Sequence, residues 1–430
     1  MTRRHIPQTP RPETDDFTPR VTSPYLMGLY LAVNAIPDAV LALDGPRCFP
    51  LKTPAIQGNH DWFSTLSGVG GPQRCLTTRT SPATVMFPRD EMLAGIIRSA
   101  SVLPTTAAVF VSARPMAALT GTDYERLCRE AAADKPVFFV PPKSLRSTWL
   151  GGYAEALKSL AAGLDLGKPA PRKDRVAVVG YLWDRSEGDH KGNIAELRRA
   201  LRALGLGLES VWLCGEGMDS LRAASRASAV ISLPYGREAA SILGRRLKVP
   251  VVETCLPFGF SAAERFLTDL GKAFGRERQA RRFIDAELAR AVPALEWVTP
   301  FVFQNAQIGF IGDPQQFEGF CSILDLLGAR LAFAFLTGEP SGKPPARPHV
   351  YYDPTQKRVV SFIKEQAAQR GLDLIVSANV GTKLGKHPIM EFGFPSYYTH
   401  ALVDRPFLGF QGCVGFVGAM ADTIRHMQLY

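Results

Sequence analysis

Short apolar runs alternate with longer amphipathic segments along most of the chain. Residues 39–43, 107–111 and 137–140 predict buried strands, because continuous apolar runs of this length between turn signals are typical of parallel sheets. Residues 123–133 and 153–162 repeat apolar side chains at helical spacing, which predicts amphipathic helices. Strands that alternate with helices in this way favour a parallel sheet covered by helices.

The same alternation recurs after a linker at residues 167–174, which is rich in Gly, Pro and charged residues. We therefore predict an α/β fold of three Rossmann-like, doubly wound domains with parallel sheets. The length of 430 residues agrees with about three domains of roughly 150 residues each. The predicted boundaries are a flexible tail at residues 1–18 and domains at residues 19–170, 171–297 and 298–430.

Composition and charge narrow the possible classes of function. No run of 18 apolar residues predicts a membrane span, and the start of the chain lacks the apolar core of a signal peptide, so we expect a cytoplasmic protein without membrane association. The net charge of +10 is spread along the chain without a nucleic-acid-binding motif, so we do not expect nucleic acid as a partner. Seven scattered cysteines favour free thiols or metal ligands over a disulfide framework.

Two cysteines lie in segments with turn signals. Cys48 follows a Gly-Pro pair after the apolar run at residues 39–43, which predicts a loop beyond a buried strand, where α/β sheets bind ligands. Cys75 follows Gly-Gly-Pro and precedes a hydroxyl-rich run, so we expect it on a loop as well. A free cysteine more often packs as a small apolar residue, and this spacing matches neither zinc nor ferredoxin sites. The residues alone therefore indicate candidate soft-metal ligands.

Further motifs surround these cysteines. Cys48 belongs to a Gly-Pro-x-Cys sequence, Cys75 is followed at residues 85–87 by Val-Met-Phe, and residues 111–123 read Val-Ser-Ala-Arg-Pro-Met-Ala-Ala-Leu-Thr-Gly-Thr-Asp. In this order the motifs resemble component 1 of the nitrogenase-like oxidoreductases. That family includes nitrogenase's catalytic subunits and the dark-operative protochlorophyllide and chlorophyllide reductases. The resemblance extends over essentially the whole chain.

The resemblance implies a [4Fe–4S] cluster held between subunits, with Cys48 and Cys75 as the ligands from this chain. Pro115 stands where the family has a third cysteine. Because the cluster needs four ligands, either a homodimer or a heterodimer or heterotetramer with a paralogous subunit would complete the set. The sequence contains no Walker A motif, so we do not expect this chain to hydrolyse ATP itself. The resemblance implies that a separate, ATP-dependent iron–sulfur reductase supplies the electrons.

The resemblance also points to residues near a substrate. His400 falls where nitrogenase's molybdenum subunit places a cofactor ligand, but the matching stretch around Ser232 contains no cysteine. We therefore expect no molybdenum–iron cofactor and predict that His400 is a catalytic proton donor. The residues predicted to line an organic-substrate pocket between the domains are Ser232, Tyr235, Cys255 and Tyr398.

Together these expectations predict the catalytic component of a nitrogenase-like reductase that acts on a small or tetrapyrrole-like organic substrate. Two alternatives stay open at this point. A metal-cofactor assembly scaffold of the same family would bind a cluster without turning over a substrate. A paralogue without a cluster would serve only in protein interactions.

Overall fold

A computed structural model describes most of the chain. The predicted site residues Cys48, Tyr398 and His400 lie outside its described residues, as does the predicted tail. Within the described part, no helix is long and apolar enough to span a membrane. The described residues are 19–46, 74–81, 83–84, 86–87, 89–132, 134–184, 187–338, 347–381, 383–396 and 403–428.

The first sheet has the strand order β2-β1-β3-β4, and all its pairs are parallel. Its two central strands, β1 and β3, are buried at every position, since apolar clusters cover both faces of the sheet. The strands are β1 (Ala39–Asp44), β2 (Cys75–Thr77), β3 (Ala108–Ala113) and β4 (Val137–Phe139). The helices are α1 (Tyr25–Asn34), α2 (Asp90–Ser101), α3 (Pro115–Ala118), α4 (Tyr124–Ala131) and α5 (Trp149–Gly163).

The second sheet has the strand order β6-β5-β7-β8 and is also parallel. Its strands are β5 (Arg172–Val179), β6 (Gly207–Val211), β7 (Ala227–Ser232) and β8 (Val251–Glu253). Its helices are α6 (Glu187–Ala203), α7 (Met218–Arg222), α8 (Arg237–Leu247), α9 (Phe260–Phe274) and α10 (Glu277–Glu296), with short 3-10 helices at Ala223–Arg226 and Pro234–Gly236.

The third sheet has the strand order β11-β10-β9-β12-β13, again with parallel pairs. Its final helix packs against α6, α9 and α10, so it joins the third sheet to the second unit. The strands are β9 (Gln307–Gly312), β10 (Arg330–Leu336), β11 (Val350–Tyr352), β12 (Leu374–Ser377) and β13 (Ile389–Glu391). The helices are α11 (Pro314–Leu327), α12 (Gln356–Arg370) and α13 (Gly409–Gln428), and a π-helical turn spans Thr299–Phe303.

The predicted fold class is confirmed by these three parallel sheets. Each sheet falls inside one of the three predicted domain ranges, because its strands span residues 39–139, 172–253 and 307–391. The boundaries between the ranges remain predictions.

Two glycines allow α1 and α5 to cross at backbone contact. A Cβ atom on Gly28 would lie 1.7 Å from the carbonyl oxygen of Trp149, and one on Gly152 would lie 2.0 Å from that of Tyr25. The crossing fixes the start of α5, where the Trp149 indole donates a 2.7 Å hydrogen bond to the Thr337 carbonyl oxygen beyond β10. The start of α5 is therefore held between the first and third sheets.

Candidate active site

A cavity of about 490 Å³ lies where loops that follow strands of all three sheets meet. We call it the three-sheet cavity. Parallel strands end at the same edge of a sheet, and ligands commonly bind there in α/β proteins. Its lining residues are Ser144, Leu145, Arg146, Ser147, Thr148, Leu150, Gly151, Ala154, Pro234, Tyr235 and Gln315.

A hydrogen-bonded pair fixes one wall of this cavity. The Tyr235 hydroxyl donates to Oδ2 of Asp313 at 2.6 Å. The other carboxylate oxygen of Asp313 accepts from the Gln315 amide at 2.8 Å and so caps α11. Both Tyr235 and Asp313 are buried, so the phenol is held in one orientation beside the cavity.

The opposite wall offers groups that bind oxygen acceptors. The hydroxyl of Ser144 is buried and has no hydrogen-bond partner among the described residues. Arg146 lines the cavity, and α5 begins there with Thr148 as its N-cap. The first-turn amides of an α-helix have no partner within the helix and carry a partial positive charge. This wall can therefore hold a polar or anionic group of a ligand.

The predicted pocket residues Ser232 and Cys255 lie nearby but do not line the three-sheet cavity. Ser232 ends β7 with a buried side chain, and Arg237 donates to both its carbonyl oxygen and its hydroxyl. Cys255 follows β8 and lines a neighbouring cavity on the far side of Pro234. Tyr235 is thus the predicted residue that lies on the three-sheet cavity, and its role in binding remains a prediction.

Cys75 is the first residue of β2, so the expectation of a loop was wrong. Its side chain belongs to the main apolar core with Leu41 and Phe110 and is 2% exposed. Burial raises the pKa of its thiol well above the usual range, and the charges of Arg114 and Arg74 oppose this only in part. Burial therefore disfavours the thiolate form of Cys75 unless a metal ion binds it.

Arg74, directly before β2, fixes the start of this strand against the end of α1. Its guanidinium donates to the carbonyl oxygens of Ala39 at 2.7 Å, Ile36 at 3.1 Å and Val33 at 3.3 Å. These carbonyls lie at and beyond the end of α1, where backbone acceptors lack helical partners. The Arg74 guanidinium is thus held by backbone carbonyl oxygens inside the protein and does not lie on a surface where a partner could dock.

Comparison with known proteins gives the family. The family model described as nitrogenase component 1 type oxidoreductase matches residues 24–425. The chain belongs to this family. A relative, the nitrogenase molybdenum-iron protein beta chain of Clostridium pasteurianum, is 22% identical over 207 residues. That alignment covers 43% of this chain and 42% of the relative, so it spans less than half of either protein.

Solved structures match over almost the whole length. A structure described as nitrogenase Cp1 at pH 6.5 has a TM-score of 0.81 and 16% identity, and covers 98% of this chain and 96% of that one. A second, described as nitrogenase Cp1 at pH 5, has a TM-score of 0.73 and 15% identity, with 98% and 92% coverage. At these identities the matches show the fold, and they confirm the predicted architecture.

The described residues contain one of the two predicted cluster ligands, Cys75, and its assignment remains a prediction. A ligand of a cluster between subunits has to reach the partner, whereas the Cys75 side chain is 2% exposed within the core of this chain. In the described ranges, no three His, Cys, Asp or Glu side chains lie close enough together to hold a metal ion. Pro115, in place of the third cysteine, begins α3. We therefore derive no step through a cluster.

A charged cluster at the end of β1 was missed by the sequence analysis. Asp44 accepts hydrogen bonds from Arg89 at 3.0 and 3.1 Å, from Tyr124 at 2.7 Å and from Thr78 at 2.7 Å. Burial acts to raise the pKa of the Asp44 carboxyl, but these hydrogen bonds outweigh it and hold the pKa below its ordinary value. An aspartate that ends an apolar strand was the available signal. The cluster ties β1, β2 and α4 together two residues before Pro46.

A second missed group is His190, which is fully buried on α6. Its Nδ1 lies 2.7 Å from the Tyr181 hydroxyl, and its ring stacks on Trp183 at 4.1 Å. Asn193 donates to the same hydroxyl at 3.2 Å and accepts from the amides of Phe407 and Leu408. This network joins the loop after β5 to the segment that precedes α13.

Proposed function

We propose that this chain is a subunit of a nitrogenase-like reductase that binds a small or tetrapyrrole-like organic substrate in the three-sheet cavity. The observation that carries the proposal is that one cavity of about 490 Å³ receives side chains from loops of all three sheets. This volume lies within the range of ordinary ligand pockets. The oxidoreductase family gives the reaction class.

The chemistry of the cavity walls supports a substrate with oxygen acceptors. Arg146 and the start of α5 would bind a carboxylate or carbonyl group, and the unpaired hydroxyl of Ser144 would gain a partner. The Tyr235 hydroxyl holds a proton beside the cavity, oriented by Asp313. We propose that Tyr235 and, on the resemblance, His400 supply the protons that a reduction consumes.

Electrons come from outside this chain in the proposal. The sequence has no Walker A motif for ATP hydrolysis, which supports a separate ATP-dependent iron–sulfur reductase as the partner. A second copy or a paralogous subunit would complete the complex. Cys48 and Cys75 remain the proposed ligands of a [4Fe–4S] cluster, and the burial of Cys75 in this chain makes Cys48 the stronger candidate of the two.

A second candidate function has its own support. The buried Cys75 and the proline at position 115 leave this chain with fewer cluster ligands than the resemblance implies. A paralogue that has lost the cluster and serves in protein interactions would have the same features. Iron content separates the two functions.

The test starts from the full chain purified without oxygen, alone and co-expressed with the genes beside its own. Iron, sulfide and solution mass are measured for the wild type, Cys48→Ala and Cys75→Ala. We expect iron in the complex that is lost in Cys48→Ala and kept in folded Cys75→Ala. Protein that is free of iron under every condition would contradict the reductase role of this subunit and favour the interaction paralogue.

The same complex then tests the cavity. Oxidation of reduced methyl viologen is followed with protochlorophyllide as the tetrapyrrole probe. We expect Tyr235→Phe to slow the reaction about a hundredfold, as loss of a proton donor does. Arg290→Ala removes an arginine whose side chain is 73% exposed on α10 and serves as the matched surface control. Equal rates in Tyr235→Phe and Arg290→Ala would exclude Tyr235 as the proton donor. If protochlorophyllide caused no oxidation of methyl viologen, it would be excluded as a substrate.

A further inference from the structure

A second cavity, of about 460 Å³, lies beside the three-sheet cavity and shares Pro234 and Gln315 with it. We call it the arginine cavity, after Arg237 and Arg265, which lie on either side of Cys255. It is bounded by the ends of β7 and β8 and by α9 and α11. Its lining residues are Pro234, Arg237, Cys255, Leu256, Phe258, Ser261, Ala262, Arg265, Gln315, Glu318, Gly319 and Ser322.

Arg237 is a half-buried cation with little negative charge near it. Its guanidinium donates to the carbonyl oxygens of Ser232 and Thr254, which fix its orientation. The carboxylate paired with it, that of Glu253, is 4.0 Å away and 64% exposed. Burial lowers the pKa of the Arg237 guanidinium, because the cation has lost water without gaining a close anion. An anionic ligand would supply the missing charge.

Arg265 faces the same space from α9. The nearby Cys255 side chain is the main cause of a raised pKa of the Arg265 guanidinium. The Cys255 Sγ also lies 3.3 Å from the Ala262 carbonyl oxygen, to which it donates, so the thiol is held between the end of β8 and α9. Cys255 is partly exposed, in contrast to a thiol packed in a core.

Two further carboxylates act on Arg265, those of Glu318 and Asp269, and the Asp269 carboxylate accepts a hydrogen bond from Thr254 at 2.9 Å. Glu318 lies 3.7 Å from Arg265, but its side chain is 78% exposed, and an ion pair of this kind is screened by water and salt. The hydroxyl of Ser261 adds a donor to the wall, whereas that of Ser322 donates to the Gly319 carbonyl oxygen at 2.9 Å. The wall is also rigid, since a Cβ atom on Gly319 would lie only 2.0 Å from the carbonyl oxygen of Phe258.

We propose that the arginine cavity binds a small molecule that carries a carboxylate or a phosphate, held between the guanidinium groups of Arg237 and Arg265 with the Cys255 thiol beside it. Guanidinium groups match both oxyanions with paired hydrogen bonds. The site is separate from the three-sheet cavity and needs neither a cluster nor turnover. It therefore stands or falls independently of the proposed reductase function.

The test uses the full chain and the reactivity of Cys255. Alkylation of this thiol by iodoacetamide is followed by peptide mass spectrometry while inorganic phosphate or citrate is titrated, with ionic strength held constant by sodium chloride. We expect saturable protection, about tenfold at ten times the dissociation constant of the effective anion. Phosphate and citrate distinguish the two ligand chemistries, and protection by either one supports the site.

Variants show whether protection arises in the cavity. Protection is expressed as a ratio within each variant, so that a changed intrinsic reactivity of Cys255 does not matter. We expect it to be lost in Arg237→Ala and in Arg265→Ala and kept in Arg290→Ala, which removes an exposed arginine on α10. Folding of each variant is checked by circular dichroism.

A second measurement does not depend on the thiol. In Cys255→Ala, the same anions should still raise the melting temperature relative to sodium chloride at equal ionic strength. Absence of saturable protection, equal protection by chloride, or protection that persists in both folded arginine variants would each overturn the proposal. The proposal would also be overturned if the anions neither raised the melting temperature of Cys255→Ala nor protected Cys255 of the wild type from alkylation.

Discussion

Cys75 and Cys255 lie at opposite ends of their strands. Cys75 begins β2 and pairs in register with Leu41, three residues before β1 ends at Asp44. Cys255 comes two residues after β8 ends at Glu253. The first thiol is closed in the core with a raised pKa, whereas the second is partly exposed and donates to the Ala262 carbonyl oxygen at 3.3 Å.

The comparison shows that the position of a cysteine in a parallel sheet decides whether its thiol is buried or partly exposed. Cys75 pairs with the middle of β1 and packs in the main apolar core, so its thiol loses water. Loops at the carboxyl-terminal edge carry polar groups and form cavities. Turn residues before Cys75 resembled those of a loop, but the position of the residue relative to the sheet edge decides its chemistry.

The largest expected effect concerns the carboxyl-terminal edge of the first sheet. Asp44→Asn removes one partner of a buried ion pair with Arg89 and should lower the free energy of unfolding by about 3–5 kcal/mol at pH 7. The pKa of Asp44 is lowered in the folded state, so its contribution is present above the ordinary value of 3.8 and is lost as pH falls below it. The difference in urea unfolding between wild type and variant should therefore shrink as the pH is lowered below 3.8.

The control for this prediction is Asp219→Asn. Asp219 also pairs with an arginine, Arg222, but its side chain is 99% exposed. Surface pairs of this kind contribute little to stability. If Asp44→Asn is as stable as Asp219→Asn, or if its deficit persists in acid, the ion pair does not organise this edge.

A smaller effect distinguishes the arginines that accompany the two cysteines. Arg74→Met removes the guanidinium that donates to the carbonyl oxygens of Val33, Ile36 and Ala39, the first two of which also accept hydrogen bonds from backbone amides. It should cost about 1–3 kcal/mol of unfolding free energy. Arg265→Met removes a 51% exposed side chain and should change it by less than about 1 kcal/mol. The two urea midpoints measure the difference. Equal losses would mean that Arg265 supports the fold and would weaken its assignment to ligand binding.

Much of the fold could be predicted because its signal is local. The apolar runs at residues 39–43, 107–111 and 137–140 became β1, β3 and β4. The amphipathic stretches at residues 123–133 and 153–162 became α4 and part of α5. Hydrophobic periodicity reports which face of a segment is buried, and alternation of strands and helices then favours parallel sheets.

The candidate site was harder to predict from the sequence because it depends on contacts between distant segments. Tyr235 meets Asp313 across 78 positions, and Trp149 reaches Thr337 across 188. The cavity at the start of α5 follows from the backbone contact at Gly152, which no motif announces. Pairings of this kind are set by tertiary packing, so the sequence pointed to Tyr235 without its partner.

The smallest expected effect tests the cysteines themselves. Cys75→Ala leaves a cavity about the size of one methyl group in the core and should lower the free energy of unfolding by about 1 kcal/mol. Cys255→Ala, at a partly exposed position, should change it by no more than about 0.5 kcal/mol. Urea unfolding of both variants under reducing conditions gives the comparison. If Cys255→Ala lost more stability than Cys75→Ala, the structural role would belong to Cys255. That result would contradict the contrast between a thiol in the core and a thiol at the carboxyl-terminal edge of a sheet.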